Sequence, residues 1–224
     1  MLEDLKVSRR HLSQCFPPEQ NIFQWSLAVY HEAVTRQVLD IIQAGLEGNE
    51  MVCLLQWILK VYHGEELLAS EELDINRDLL PSILSQDEID GLLQTYLSNM
   101  KCNYDTWMVN TIKQEQEDWE TDQEPELDME GCSYTSTPVL LNRMMEDNLL
   151  VTSTISDSLI RKTFCISIEQ FLVFGQMYRQ TLQEFRERKA NLDTSKTEVI
   201  VSNNCGKFLA LTEVAWWSDE NCNN

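Results

Sequence analysis

The hydrophobic positions of this chain recur in steps of three and four along most of its length, the period of an α-helix buried on one side. Behind Pro17-Pro18 they fall at Ile22, Phe23, Leu27, Tyr30, Val34, Val38, Ile41 and Ile42. That spacing predicts a helix with its prolines in the first turn and a stop between Gly45 and Gly48. Val52, Leu54, Leu55, Ile58, Leu59 and Tyr62 predict a second helix, with Gly64 as its left-handed C-terminal cap. The third has the sharpest start. Ser85-Gln86-Asp87-Glu88 fits a capping box, in which serine and glutamate each satisfy an amide of the first turn. An apolar stripe from Ile89 through Leu92, Tyr96, Met100, Tyr104 and Met108 to Ile112 follows it.

The periodicity then stops. Residues 115–130 hold nine acidic side chains and no basic one, with Pro125 inside and Gly131 beyond, which predicts a solvated linker. Thr137-Pro138 reads as cap and first-turn proline of a fourth helix. Apolar spacing continues from Leu141 to Phe185 with a break at Ser156-Asp157, so two long helices are predicted. A sixth covers Lys196 to Leu211. The fold class is therefore all-α, a bundle or rod of about six helices with no competing strand pattern. The predicted division is 1–113 as a first helical portion, 114–137 as an acidic linker and 138–211 as a second portion. Residues 212–224 are expected to be a divergent, disordered tail.

Composition sharpens this picture. Only 12 of 224 residues are Gly or Pro, and the formal net charge is −20. Residues 64–130 hold 19 acidic and 3 basic side chains, so −16 of the charge sits there. Such a surface argues against nucleic acid as a partner. The first ten residues show no secretory leader, and no apolar run is long enough to span a bilayer. Seven scattered cysteines without a Cys-x-x-Cys predict reduced thiols, several of them in the core, and a cytoplasmic protein.

No catalytic constellation emerges, and neither a metal site nor a cofactor is predicted. His11, His31 and His63 are too scattered for a metal site. Residues 126–137 imitate the start of a calcium loop, but position twelve is Thr137, which cannot supply the closing bidentate carboxylate. Cys15 near His11 and His31 could make a thiolate nucleophile, although Cys15-Phe16 reads better as packing. The pairs Glu65-Glu66 and Glu71-Glu72 read as solvated surface. Trp57 and Trp107 fit the helical stripes, whereas Trp25 and Trp119 fall off phase and are expected as exposed anchors. One charge feature stands out. Residues 161–196 carry seven basic and four acidic side chains, and Arg161, Lys162, Arg186, Arg188 and Lys189 are the candidate partner or phosphoinositide surface. The plainer reading is that these cations complement a helix C-terminus.

Several segments are similar to one family. Cys15-Phe16-Pro17-Pro18 with Asn21-Ile22-Phe23 and Tyr30-His31 resembles exocyst complex component 3 and its 3-like paralogues. The resemblance continues through Asn49-Glu50, Leu54-Leu55-x-Trp57-Ile58-Leu59, Tyr62 and Leu92-Leu93-x-x-Tyr96. It takes in Trp119, Glu124-Pro125-Glu126-x-Asp128, Thr135-x-Thr137-Pro138 and Asn203-Asn204-Cys205 with Phe208. It implies an elongated, exocyst-type rod of stacked helical bundles. It further implies a non-enzymatic subunit acting in vesicle tethering and exocytosis by binding other exocyst subunits and SNARE proteins. Such a protein works in the cytoplasm, peripherally at plasma-membrane or secretory-vesicle tethering sites. Some paralogues imply an alternative, a peripheral membrane-remodelling protein that binds phosphoinositides. The coiled coil through which the family assembles is not among the matched segments.

Overall fold

Among the described residues seven α-helices form: α1 (Leu2–Arg10), α2 (Ile22–Ala44), α3 (Gly48–Gln56), α4 (Gln86–Glu120), α5 (Thr137–Ile155), α6 (Asp157–Arg188) and α7 (Ser195–Glu220). The structure is a computed structural model that describes residues 1–65, 67–75, 80–121, 127, 131–133, 135–189 and 194–220, with backbone alone for 208–220. The all-α class is as expected, and among the described residues the sole extended pairing is an isolated bridge between Leu127 and Ser133. The chain forms two compact units. The first comprises Met1–Ser98 with Thr154–Ser156, and the second Asn99–Ser153 with Asp157–Asn224. The division falls inside α4 rather than after residue 113.

In the first unit the prolines do not open α2. Pro18–Gln20 form a short 3₁₀ turn, and Asn21 follows in the left-handed region (φ 47°), so the helix starts only at Ile22. Asparagine enters that region more readily than most residues, and here its side chain makes no cap bond. At the other end Gly45 has φ +90°, which ends the helix where the sequence predicts. Leu5, Phe23, Leu27, Val38, Ile58, Tyr62, Leu68, Leu73, Ile83 and Leu84 form the core.

The second predicted helix departs from its expectation. Regular α3 ends at Gln56 and Trp57–Val61 form a π turn, closed by the Tyr62 amide donating to the Trp57 carbonyl at 2.8 Å. Residues five apart on an α-helix lie about 140° apart, but the widened turn brings Trp57 and Tyr62 into ring contact at 5.2 Å. Tyr62 is fully buried and shares a 2.7 Å hydrogen bond with His31 Nδ1. Burial pushes the Tyr62 hydroxyl up to about 12. Burial, and then the neighbouring His63, hold His31 below its ordinary value. Gly64 is not the left-handed cap expected. Its requirement is space, since a Cβ there would stand 2.5 Å from the Lys60 carbonyl oxygen.

The Ser85 capping box forms as predicted. The Ser85 amide donates to Glu88 Oε2 at 2.7 Å and the Glu88 amide to Ser85 Oγ at 3.3 Å. These bonds hold the Glu88 carboxyl below the usual range. Helix α4 then continues past Ile112 to Glu120, so residues 114–120 of the expected linker are helical; 122–126, 128–130 and 134 lie outside the described residues.

In the second unit the side-chain contacts define the helix directions. Tyr104 meets Ser167 and Glu115 meets Tyr178, so α6 runs parallel to this part of α4. Glu115 meets Thr137 and Tyr104 meets Asn148, so α5 runs antiparallel to α4. Tyr178 meets Asn204 and Arg186 meets Glu198, so α7 runs antiparallel to α6. The result is an up-down-up-down set of four helices. The break at Ser156 stands where the sequence places it. Helix α5 begins on the Ser136 carbonyl, which accepts from the Leu140 amide. The Thr137 hydroxyl turns to Glu115, so the cap role expected of it is not the one it takes. Helix α7 runs to Glu220, beyond the predicted end at Leu211, because neither Gly nor Pro follows Gly206 to interrupt it; 221–224 lie outside the described residues.

The first unit yields two expected outcomes. Gly64→Ala forces its Cβ against backbone and should lower stability by about 1–3 kcal/mol in urea unfolding, whereas Gly91→Ala on the open side of α4 should stabilise by about 1 kcal/mol. For His31 the folded pKa lies below the unfolded 6.5. As pH falls through 6.5 the unfolded chain takes up a proton that the folded state refuses, so stability is lost downward from there. Urea midpoints at pH 7.5 and 5.5 should differ more in the native chain than in His31→Gln.

Candidate functional site

The five predicted surface cations lie on α6 and the turn behind it, yet they do not form one patch. Arg161 and Lys162 occupy the start of the helix and are not buried. Arg186, Arg188 and Lys189 close it, about 37 Å away at 1.5 Å per residue. Arg186 Nε lies 3.0 Å from Glu198, and Arg188 lies 3.4 Å from Glu120 and over the Phe185 ring. At the closing end, Arg179, Arg186 and Lys189, with the acidic Glu187 among them, help to line an open groove of about 720 Å³. Arg179 is the cation that the sequence reading missed there. It stands two helical turns before Arg186 on the same face, a spacing visible in the sequence.

The cysteine and histidine candidates separate. Cys15 Sγ donates to the His11 carbonyl at 3.4 Å, and His31 is buried against Tyr62. Cys15 and Phe16 are both exposed and so do not supply the packing expected of them. Cys53, Cys102, Cys132 and Cys165 are also exposed, contrary to the expected core thiols; Cys205 is half-buried, and burial pushes its thiol up. Glu72 is taken by Lys6 and Arg10. Among the described residues no group of three or more His, Cys, Asp or Glu could hold a metal ion, and no helix is long and apolar enough to cross a membrane.

The most organised chemistry lies in the second unit and was read from sequence as solvated. Glu115 is 2% exposed. Thr135 and Thr137 each donate a hydroxyl to its Oε1, and Tyr178 donates to its Oε2 at 2.7 Å. Asn204, fully buried, completes the set: its Nδ2 donates to the Tyr178 oxygen and to Thr135 Oγ1, both at 2.8 Å. Its Oδ1 accepts the Thr135 amide at 3.1 Å, while Asn203 donates to the Ser133 carbonyl at 2.8 Å. Burial, and then the Glu115 charge, push the Tyr178 hydroxyl up strongly. Trp119, expected as an exposed anchor, packs its ring on Tyr178 at 5.6 Å and Phe185 at 5.5 Å. Trp25, by contrast, is exposed as expected.

Among the described residues this constellation pairs its donors with its acceptors, and Glu115, Thr137, Tyr178 and Asn204 are all buried. Its groups hold one another, so it can position four chain segments. The sequence carries one signal for it, which corrects the off-phase reading of Trp119: Glu115 and Trp119 continue the three-four stepping of Met108 and Ile112. Glu115→Ala should cost about 3–5 kcal/mol, because three hydroxyls and their surroundings lose a buried charged partner. Tyr178→Phe should cost about 1.5–3 kcal/mol. In a double-mutant cycle, combining Glu115→Leu with Tyr178→Phe should cost less than the two single changes added together.

The comparisons with known proteins agree with this fold. The family profile for Exocyst complex component Sec6 matches residues 1–213. Exocyst complex component 3 of Drosophila melanogaster is 35% identical over 189 residues, 84% of this chain and 25% of that protein. The Exocyst complex component 3-like protein of Danio rerio is 27% identical over 187 residues, 83% of this chain and 24% of that protein. In fold, the chain is similar to the crystal structure of M-Sec, with a TM-score of 0.77 at 21% identity, covering 96% of this chain and 38% of that one. The chain thus spans about a quarter of the length of the curated relatives it matches. With the profile covering nearly all of it, the chain belongs to the family of Exocyst complex component Sec6.

Proposed function

We propose that this chain acts as part of an exocyst subunit in vesicle tethering and exocytosis, holding helical surfaces toward other exocyst subunits and SNARE proteins. It works in the cytoplasm, peripherally at plasma-membrane or secretory-vesicle tethering sites, and it binds rather than catalyses. The family match over residues 1–213 is the observation that carries this reading. The internal polar architecture supports it, because the most ordered cluster of ionisable and hydroxyl groups is consumed in holding helices together. A chain built in this way offers surfaces of fixed geometry, as an assembly subunit must.

The second reading is a peripheral phosphoinositide-binding protein, and the groove lined by Arg179, Arg186 and Lys189 is the observation that favours it. Against it stand the ion pairs of Arg186 with Glu198 and Arg188 with Glu120, which use part of the same charge internally. The overall charge of −20 adds a repulsion from anionic membranes.

Co-purification separates the two. The tagged 224-residue chain should enrich exocyst subunits from cell extract over an unrelated helical protein of similar net charge; absence of every exocyst subunit and SNARE would sink the first reading. Flotation with vesicles containing phosphatidylinositol bisphosphate should show weak recovery. Strong recovery that falls in Arg179→Glu with Arg186→Glu would favour the membrane reading instead.

A further inference from the structure

The end of α4 presents a hydroxyl that the fold leaves at the surface. Thr121 is the first residue beyond the helix, it is exposed, and Asp122-Gln123-Glu124 follow it. Its amide and its hydroxyl both turn back to the Asp118 carbonyl, at 3.2 and 2.8 Å. Residues 117–126 hold six acids and no Lys, Arg or His. Arg188 reaches this end of the helix from α6 and is engaged by Glu120 at 3.4 Å. Five hydroxyls in the chain have an acid three positions on: Ser85, Thr121, Thr154, Thr181 and Ser195. Four of them are withdrawn. Ser85 Oγ is bound to Glu88 at 2.8 Å in the capping box. Thr154 and Thr181 lie inside α5 and α6, and Thr181 is buried. Ser195 opens α7 with the cation of Lys196 next to it.

Phosphoryl transfer requires the acceptor oxygen to reach the γ-phosphorus in line with the departing ADP, which a hydroxyl fixed inside a helix cannot do. Among accessible hydroxyls, kinases choose by the charges beside them. Lys113, the nearest preceding cation in sequence, stands eight positions before Thr121, and Pro125 stands four after it. An enzyme that reads upstream arginines or an adjoining proline therefore finds no signal. A substrate groove lined by Lys and Arg finds Asp122 and Glu124. We propose that Thr121 is a phosphorylation site for a protein kinase that reads acids on the C-terminal side of its acceptor. Thr121 Oγ1 bonds to the γ-phosphorus of ATP, the bond to the bridging oxygen breaks, ADP leaves, and the hydroxyl proton passes to the kinase's base. The product gains a charge of about −1.5 to −2 and loses the hydroxyl's bond to Asp118. Negative charge beside the last carbonyls of a helix is unfavourable, and Glu117, Asp118 and Glu120 add to the repulsion. Phosphorylation thus loosens the last turn of α4, which carries Trp119.

The full 224-residue chain, incubated with ATP, magnesium and a purified kinase of this acid-reading class, tests the assignment. Peptide mapping by mass spectrometry should place the phosphate on Thr121. Thr121→Val should abolish that modification and Thr121→Ser should keep it. The initial rate should fall about tenfold when Asp122→Asn and Glu124→Gln are combined, and an arginine-directed kinase should leave Thr121 unmodified. In the phosphorylated chain the backbone amides of the last turn of α4 should exchange with deuterium severalfold faster than in the unmodified chain. Circular dichroism checks that each variant remains helical. No phosphate on Thr121, an undiminished rate in the doubly neutralised variant, or equal modification by both kinases would overturn the site. Unchanged exchange would overturn its effect on the helix. Phosphate incorporation is read on this chain alone, so its failure leaves the exocyst reading standing, and failure to capture exocyst subunits leaves the site standing.

Discussion

A carboxylate buried at Glu115 constrains the second unit more than any apolar contact does. An ionised group removed from water is tolerated only where donors replace its hydration. Helix α4 has no spare donors in its middle, since its amides are committed to its own carbonyls. The replacements come from elsewhere: Thr135 and Thr137 at the entry to α5, Tyr178 on α6, and Asn204 on α7 acting through both Tyr178 and Thr135. Apolar ridges tolerate small slips because one leucine is much like the next. Slipping a helix by one residue displaces its side chains by about 1.5 Å and turns them by about 100°, which takes a hydroxyl away from the carboxylate altogether. The polar cluster thus fixes the register that the hydrophobic stripes leave loose.

How much of this could be read from the residues depended on whether the signal was local. The Ser85 capping box, the stop at Gly45 and the break at Ser156 are each decided within a few positions, and each forms where the sequence places it. Glu115 was misread because it opens a run of nine acidic residues, and its partners Tyr178 and Asn204 stand 63 and 89 positions further on. Gly64 shows a different limit. Glycine after a helical pattern suggests a left-handed cap, but here a π turn alters the path of the chain and the requirement becomes clearance from Lys60. The basic residues of α6 were grouped by sequence neighbourhood, although a helix of 32 residues carries its two ends far apart.

Several of the residues that first suggested the family acquire a common role in the structure, although Cys15, Phe16, Pro17 and Pro18 stay exposed. His31, Trp57 and Tyr62 meet in the core of the first unit. Trp119, Thr135, Thr137 and Asn204 meet around Glu115 and Tyr178 in the second. They are polar or aromatic groups at helix junctions, where hydrogen-bond direction and ring shape matter more than bulk. The family signature in this chain is therefore architectural. It records how helices are held.

The distribution of charge follows from the same scarcity of cations. Lys6, Arg9 and Arg10 of α1 are engaged by Glu3, Glu72 and Asp74, Arg36 by Glu32, Arg186 by Glu198 and Arg188 by Glu120. With 17 Lys and Arg against 37 Asp and Glu, each cation paired within the fold leaves the unpaired surface more acidic. Exposed apolar groups such as Trp25 and Leu172 would make a neutral chain adhesive. The surplus negative charge, −16 of which sits in residues 64–130, opposes contact between copies.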